Sequence, residues 1–304
     1  MFQNKKTVKT AIIGLGNMGK KHLKTVINNN NTSLIATVDP ENKEADYRTV
    51  NEMLDYIKPD CAIIASPTSN HIDAAAALLK HDIDLLIEKP VVSTREQIEE
   101  IKALSSRSKA VIAVGHIERF NPTIQTLKED LEGQTIIDFY AKRVSPLPGR
   151  ISDVGVSLDL AVHDIDLARF LTGKTFTGCH SQKTSLKTNN VEDNITISLK
   201  QDATSQGSFV VNCSWSYPFR ERRIKILTDK FYYDVDLLNK IVSKMEGSVT
   251  QRGYHLSDLH VGNADPLENQ LNNFLNLIET NKNKNIASLE DGILALSLAM
   301  EACK

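Results

Sequence analysis

Cysteine is sparse in this chain of 304 residues, and the four that occur, Cys61, Cys179, Cys213 and Cys303, form no CxxC pair. Such scatter argues against a structural zinc site and against a disulfide framework, and it fits a reducing compartment. An excess of one charge is also missing, since 36 Lys and Arg stand against 38 Asp and Glu. No strong field therefore draws the chain to a nucleic-acid backbone or an anionic membrane. No apolar run is long enough to cross a bilayer, and the polar stretch from Met1 to Thr10 lacks the apolar core of a secretory signal. Aromatic residues make up 6%, with a single tryptophan; Trp215, Tyr217 and Pro218 read as the end of a packed strand rather than a stacking platform. The absences leave a cytoplasmic protein of small-molecule chemistry as the expectation, with no nucleic-acid or membrane partner.

What is present is an ordinary globular composition, 41% hydrophobic and 24% charged, in a length that suits about two domains. From Val8 to His116, apolar runs of strand length (8–13, 33–39, 60–65, 83–88, 110–115) alternate with helical periods (17–29, 49–57, 70–80, 94–106). That rhythm predicts a parallel sheet covered on both faces. After Asn121 it changes to a helix over 121–132, a strand over 134–143, a proline-containing loop Ser145–Asp153, and a helix from Val156 to Leu171 closed by Gly173. Strand segments at 175–185, 191–200, 206–216 and 221–235, with no helices between them, predict antiparallel neighbours. Helical patterns at 266–279 and 289–303 finish the chain. The expected fold class is α/β: a Rossmann domain with a parallel sheet over residues 1–120, then an α+β domain with a largely antiparallel open sheet over residues 121–304.

Chemistry is signalled first at Gly14-Leu15-Gly16-Asn17-Met18-Gly19, between the first strand and the first helix. Gly14 permits the tight turn, Gly16 the approach of a pyrophosphate, and Gly19 close helix packing. The helix N-terminus, with Asn17 and Met18, offers amides and partial positive charge to that anion. Asp39 ends the second strand twenty residues past Gly19, where a carboxylate can hold ribose hydroxyls. Asp39 and Glu41 would repel a 2′-phosphate and no arginine follows immediately, so NAD is favoured over NADP, with Lys43 tempering the preference.

A second signal is Glu88-Lys89-Pro90, which places a lysine at the carboxyl edge of the parallel sheet, where ligands of such sheets bind. Taken alone it also fits a surface lysine before a turn. The third is Leu158 through Asp166, where Asp159 and His163 are four apart and hence share a helical face, either as an acid/base pair or as a helix-stabilising pair. His163 with Asp164 or Asp166 could begin a metal site, but no further ligand set accompanies them. His255 and His260 read as loop residues, and no metal is expected.

With Ala65-Ser66-Pro67-Thr68-Ser69-Asn70-His71, Gly155 through Asp166, Trp215 and Asp291-Gly292, these three motifs resemble the glucose-fructose oxidoreductase and inositol dehydrogenase family, Gfo/Idh/MocA, over nearly the whole chain. Val114 through Pro122 and Asp153-Val154-Gly155 look most like members of the UDP-N-acetylglucosamine 3-dehydrogenase type. The resemblance implies that Lys89 stands near the nicotinamide and reactive hydroxyl, that His163 is the acid/base, and that Asp159 assists it. It also places Ser66, Pro67, Thr68 and His71 along the cofactor and Glu88 near the nicotinamide end. Arg119 and Asn121 are candidates for substrate contact; Arg119 suits a diphosphate or, equally, an interdomain structural salt bridge. Implied overall is NAD-dependent oxidation of a secondary hydroxyl on a sugar or nucleotide sugar by a homodimer or homotetramer. An inositol or free-sugar dehydrogenase and a non-catalytic dinucleotide sensor are the alternatives.

Overall fold

A computed structural model describes residues 7–149, 154–188, 191–201, 207–247 and 253–304. Within it the chain forms two compact units, residues 1–117 with 265–293, and residues 118–264 with 294–304. Asp153, the last residue of the expected proline loop, lies outside the described residues, as does position 206 at the start of an expected strand.

The first unit begins with β1 (Val8–Ile13), α1 (Asn17–Asn28), β2 (Thr32–Val38), α2 (Val50–Tyr56), β3 (Cys61–Ile64), α3 (His71–Leu79), β4 (Asp84–Glu88), α4 (Arg95–Ser105) and β5 (Ile112–Gly115). Every residue of β3 and β5 is buried, as a strand covered on both faces requires. The helix starts are written locally: Thr49 and Thr94 accept N–H bonds from Glu52 and Gln97, three residues on. All neighbours among β1 to β5 are parallel, and β3 lies beside β1 on the side away from β2. The strand order thus reverses at β1 and β3, which opens a crevice at their carboxyl ends.

The second unit contains α5 (Pro122–Asp130), β6 (Ile136–Pro146), a π-helical turn (Ser157–Ala161) that runs into α6 (Val162–Thr172), β7 (Gly178–Thr184), β8 (Asn194–Lys200), β9 (Ser208–Ser214), β10 (Ser216–Thr228), β11 (Tyr232–Asp236), β12 (Ile241–Gly247) and β13 (Tyr254–Asp258). Its eight strands run in the order β13-β12-β11-β10-β6-β9-β8-β7. Phe139, Phe209, Ile224, Ile226 and Tyr233 from the sheet and Ile165, Leu167 and Ala168 from α6 form one core.

The antiparallel neighbours expected among the later strands are present in β7 with β8 and β8 with β9, while β6 and β9 are parallel, because the connection between them carries α6 and a β7–β8 hairpin, long enough for a crossover. Three expectations change here. The segment expected as one strand over 221–235 is two: Thr228 Oγ1 accepts N–H bonds from Lys230 and Phe231 and turns the chain into β11. β12 and β13 went unanticipated; β13 is exposed at all five positions and so has no alternation to read. It carries His255, which is in a strand and not a loop.

The chain closes with α7 (Pro266–Thr280), the two-residue β14 (Ala287–Ser288) and α8 (Leu289–Ala302). β14 adds an antiparallel edge to β5, and α7 packs on α1, where Asn29 Nδ2 donates to Asn272 at 2.8 Å. By this division the chain passes between the units three times, at 117–118, 264–265 and 293–294. Too short to signal itself, β14 gains its place from pairing with β5.

Candidate active site

The crevice is built around the glycine turn. Gly14 has φ +92°, and a Cβ there would come 2.5 Å from the Ser66 backbone N, so only glycine fits between β1 and the β3 turn. A Cβ at Gly19 would meet Gly14 O at 1.8 Å. Gly16 differs, because an added Cβ would meet nothing within 4 Å. The chain itself does not require a glycine there, whereas a group from outside approaching the backbone would. Gly16 is also the N-cap of α1, which has no side-chain cap and no acid in its first turn. Amides in this state suit an anion.

At the end of β2, Asp39 Oδ2 accepts the Leu15 N–H at 2.7 Å and Oδ1 accepts those of Glu41 and Asn42 at 2.9 Å each. Burial pushes this carboxyl up, but the three backbone donors and the Arg48 charge outweigh it and hold the group below its ordinary 3.8. Arg48 was not anticipated in the sequence. The chain leaves β2, loops out and returns, with the Tyr47 N–H on Thr37 O and the Asp39 N–H on Tyr47 O, and this brings Arg48 Nη1 to Asn42 O at 2.8 Å. An arginine nine residues past the acid thus reaches the loop that follows it.

Across the crevice, Ser66 Oγ is buried with no hydrogen-bond partner among the described residues. Pro67 is exposed, and Thr68 opens a short 3-10 turn. His71, placed along the cofactor by the resemblance, is 1% exposed with Nε2 2.9 Å from Ser66 O and Nδ1 3.1 Å from Pro90 O. Burial lowers its pKa below the ordinary 6.5 against the pull of those carbonyls. Its ring ties two turns together. Glu88 is likewise buried, with Oε1 on His22 Nε2 at 2.7 Å, and Lys89 is half-buried at the sheet edge. The open space at Gly16, the uncapped amides of α1, the orphaned Ser66 hydroxyl and the preset Asp39 fit a dinucleotide.

In the second unit, Asp159 lies in the π turn and His163 is the second residue of α6; both are half-buried. The expected uniform α-helix is widened here by a bond from the Val162 N–H to Ser157 O, a form that recurs at functional sites. The start of this helix is held by Glu192, whose Oε1 accepts the Ser157 N–H at 3.1 Å. A Cβ on Gly155 would lie 2.0 Å from that oxygen, so the glycine makes room for the carboxylate.

Asp164 and Asp166 point inward. Asp164 takes a fork from Arg143, Nε to Oδ2 and Nη2 to Oδ1, both at 2.8 Å. Arg143 also reaches Glu118 at 2.9 Å, and Arg222 reaches the same Glu118 oxygen at 2.8 Å. Burial alone would raise Glu118, but the two guanidiniums bring it below its usual range. Arg119, 5% exposed, forks Asp166 at 2.8 and 2.6 Å, so its guanidinium is committed to α6 rather than offered to a phosphate. Asn121 caps α5 by accepting the Thr123 N–H. The metal idea for His163, Asp164 and Asp166 fails because both acids are taken by arginines, and no metal-competent cluster exists among the described residues. Burial pushes the Cys61 thiol up to about 12 and Cys179 to about 11, which makes neither a ready nucleophile.

A parallel sheet with a glycine turn at its switch point defines a dinucleotide-binding Rossmann class. Residues 8–116 match the model of the oxidoreductase family with an NAD-binding Rossmann fold, and residues 138–234 match the GFO/IDH/MocA C-terminal domain. The chain belongs to the Gfo/Idh/MocA oxidoreductase family. It is 27% identical to UDP-N-acetylglucosamine 3-dehydrogenase of Acidithiobacillus ferrooxidans over 90% of each chain. It is 24% identical to inositol 2-dehydrogenase of Rhizobium meliloti over 98% of this chain and 96% of the other. A solved structure of UDP-N-acetylglucosamine 3-dehydrogenase GnnA from Acidithiobacillus ferrooxidans shares the fold with a TM-score of 0.85 at 23% identity, covering 98% and 97%. Among the described residues no helix is long and apolar enough to cross a membrane.

Proposed function

We propose that the protein oxidises a secondary hydroxyl of a nucleotide sugar, UDP-N-acetylglucosamine at C3, to a ketone. The likeness to UDP-N-acetylglucosamine 3-dehydrogenase over 90% of each chain carries the choice of substrate. When bound, the nicotinamide ring supplies the hydride acceptor. His163 takes the hydroxyl proton, a role an imidazole fills near neutral pH. Lys89 offers positive charge to the oxygen as it becomes an alkoxide, and Asp159 assists His163. The glycine turn, Asp39 and the Ser66–Thr68 turn hold the dinucleotide. Retention of Lys89, Asp159 and His163 favours turnover over a sensor that binds without reacting.

Asp39 and Glu41 favour NAD, while Arg48 supplies the positive charge that a 2′-phosphate would need. The protein acts in the cytoplasm as a homodimer or homotetramer. The inositol 2-dehydrogenase likeness supports a second reading, a cyclitol enzyme. Reduced-cofactor formation with UDP-N-acetylglucosamine, UDP-glucose and myo-inositol, each with NAD⁺ and NADP⁺, separates the readings. Calorimetric titration of UDP into the NAD⁺-loaded protein adds a check, since a cyclitol enzyme shows no UDP binding. No reduction with any sugar or cyclitol would return the protein to the sensor class.

A further inference from the structure

Beneath the turn that presents Lys89 lies a buried polar chain to which the proposed chemistry gives no part. His22, three residues past Gly19 on the buried face of α1, is 2% exposed, and its Nε2 donates to Glu88 Oε1 at 2.7 Å. Glu88 Oε2 accepts the Lys89 backbone N–H at 3.2 Å. Gly115 on β5 keeps the space open, because a Cβ there would lie 3.0 Å from Glu88 Cδ. From the other side, His71 bridges Ser66 O and Pro90 O. The turn after β4 is therefore gripped by two buried imidazoles, one on the helix that begins at the glycine turn and one on the helix that follows the β3 turn.

Stability is a poor explanation for such a pair. Well-packed apolar side chains of similar volume commonly do as well or better at a buried position, because the desolvation of both polar partners is avoided. What an apolar pair cannot do is fix a backbone N–H in direction. We infer that His22 is a positioning residue: through Glu88 it links the seating of α1 on the cofactor pyrophosphate to the placement of Lys89. The inference rests on the reading of Lys89 as the charge-stabilising group. Misplacement of such a group by about 1 Å costs on the order of 100-fold in rate.

The test uses His22→Leu, which removes the donor, His22→Gln, which keeps one, and Gly115→Ala, which keeps both partners but displaces the Glu88 carboxyl. Acetylation of Lys89 by an N-hydroxysuccinimide ester, quantified by peptide mass spectrometry with and without saturating NAD⁺, needs no substrate. Lys109 serves as an internal control. The wild-type protein should show a several-fold change in Lys89 labelling on NAD⁺ addition. His22→Leu and Gly115→Ala should blunt that change, and His22→Gln should restore most of it. Turnover should fall about 10- to 100-fold in His22→Leu, with the NAD⁺ dissociation constant within about 3-fold of wild type.

A Lys89 response to NAD⁺ that is absent in wild type or intact in His22→Leu overturns the role. So does a loss of NAD⁺ affinity and melting temperature in step with turnover, which marks a purely structural pair. If the wild-type protein oxidises no sugar while the labelling pattern holds, the dehydrogenase reading falls and the His22 link stands.

Discussion

Arg143→Met offers the sharpest test of how α6 is held. Arg143 is 2% exposed and makes three charged hydrogen bonds, two to Asp164 and one to Glu118. Without it, Glu118 still has Arg222 at 2.8 Å, but among the described residues the side-chain contact left to Asp164 is the Cys213 thiol at 3.8 Å. A 2%-exposed carboxylate is then left without its cation. Removing one partner of a buried pair costs about 3–5 kcal/mol. At a urea slope of about 2 kcal/mol per molar, the midpoint should fall by roughly 2 M.

Trp215, the only tryptophan, is 2% exposed in the same unit, so its emission reports that unit's unfolding. Arg143→Met with Asp164→Leu should recover more than half of the loss, since the stranded charge is gone. A midpoint change below about 0.5 M in the single variant would refute the claim that the network is desolvated. A double variant no better than the single would show that lost packing, and not the stranded carboxylate, sets the cost. Because His163 adjoins Asp164 on α6, turnover should fall in the single variant even at urea-free, fully folded temperatures.

Other outcomes follow from single contacts. His163→Ala should lower turnover by about 10²- to 10⁴-fold and leave NAD⁺ affinity nearly unchanged; full turnover at saturating substrate would remove His163 as the base. Gly19→Ala drives a methyl to 1.8 Å from Gly14 O, so calorimetry should find NAD⁺ binding weakened at least tenfold, roughly 1.4 kcal/mol, and normal affinity would contradict the turn geometry. His71 has its pKa depressed on folding by burial, from 6.5. Its contribution is complete above that value, and as pH falls the unfolded chain takes the proton first, so stability is lost toward the lowered folded pKa. Urea midpoints followed by circular dichroism should drop between pH 7 and 5 more steeply in wild type than in His71→Gln, and parallel curves would exclude His71 as the source.

Much of the first unit was legible because its signals are local. The glycines of the fingerprint, Asp39 at a strand end, and the threonines before α2 and α4 each act within a few residues of themselves, and the fully apolar strands carry their own burial. The π turn before α6 could not be read, since a one-residue widening leaves the apolar period nearly intact. Nor could the fate of Arg119, whose sequence neighbourhood is equally compatible with a phosphate contact and with its actual fork on Asp166, 47 positions away.

The sequence by itself therefore determined the alternation of strands and helices, the anion-binding turn and the residues with suitable chemistry, since all of these depend on backbone preference and short spacing. Tertiary structure decided which charges are committed and which turns are braced. Arg143 with Asp164 and Glu118, His22 with Glu88, Glu192 beside Gly155 and β14 on the edge of β5 all join elements far apart in the chain, and Arg48 at the Asp39 loop joins nearer ones. Apart from the local Arg48 contact, such pairings depend on which surfaces meet when the sheets close, and desolvation gives them their weight only after that closure.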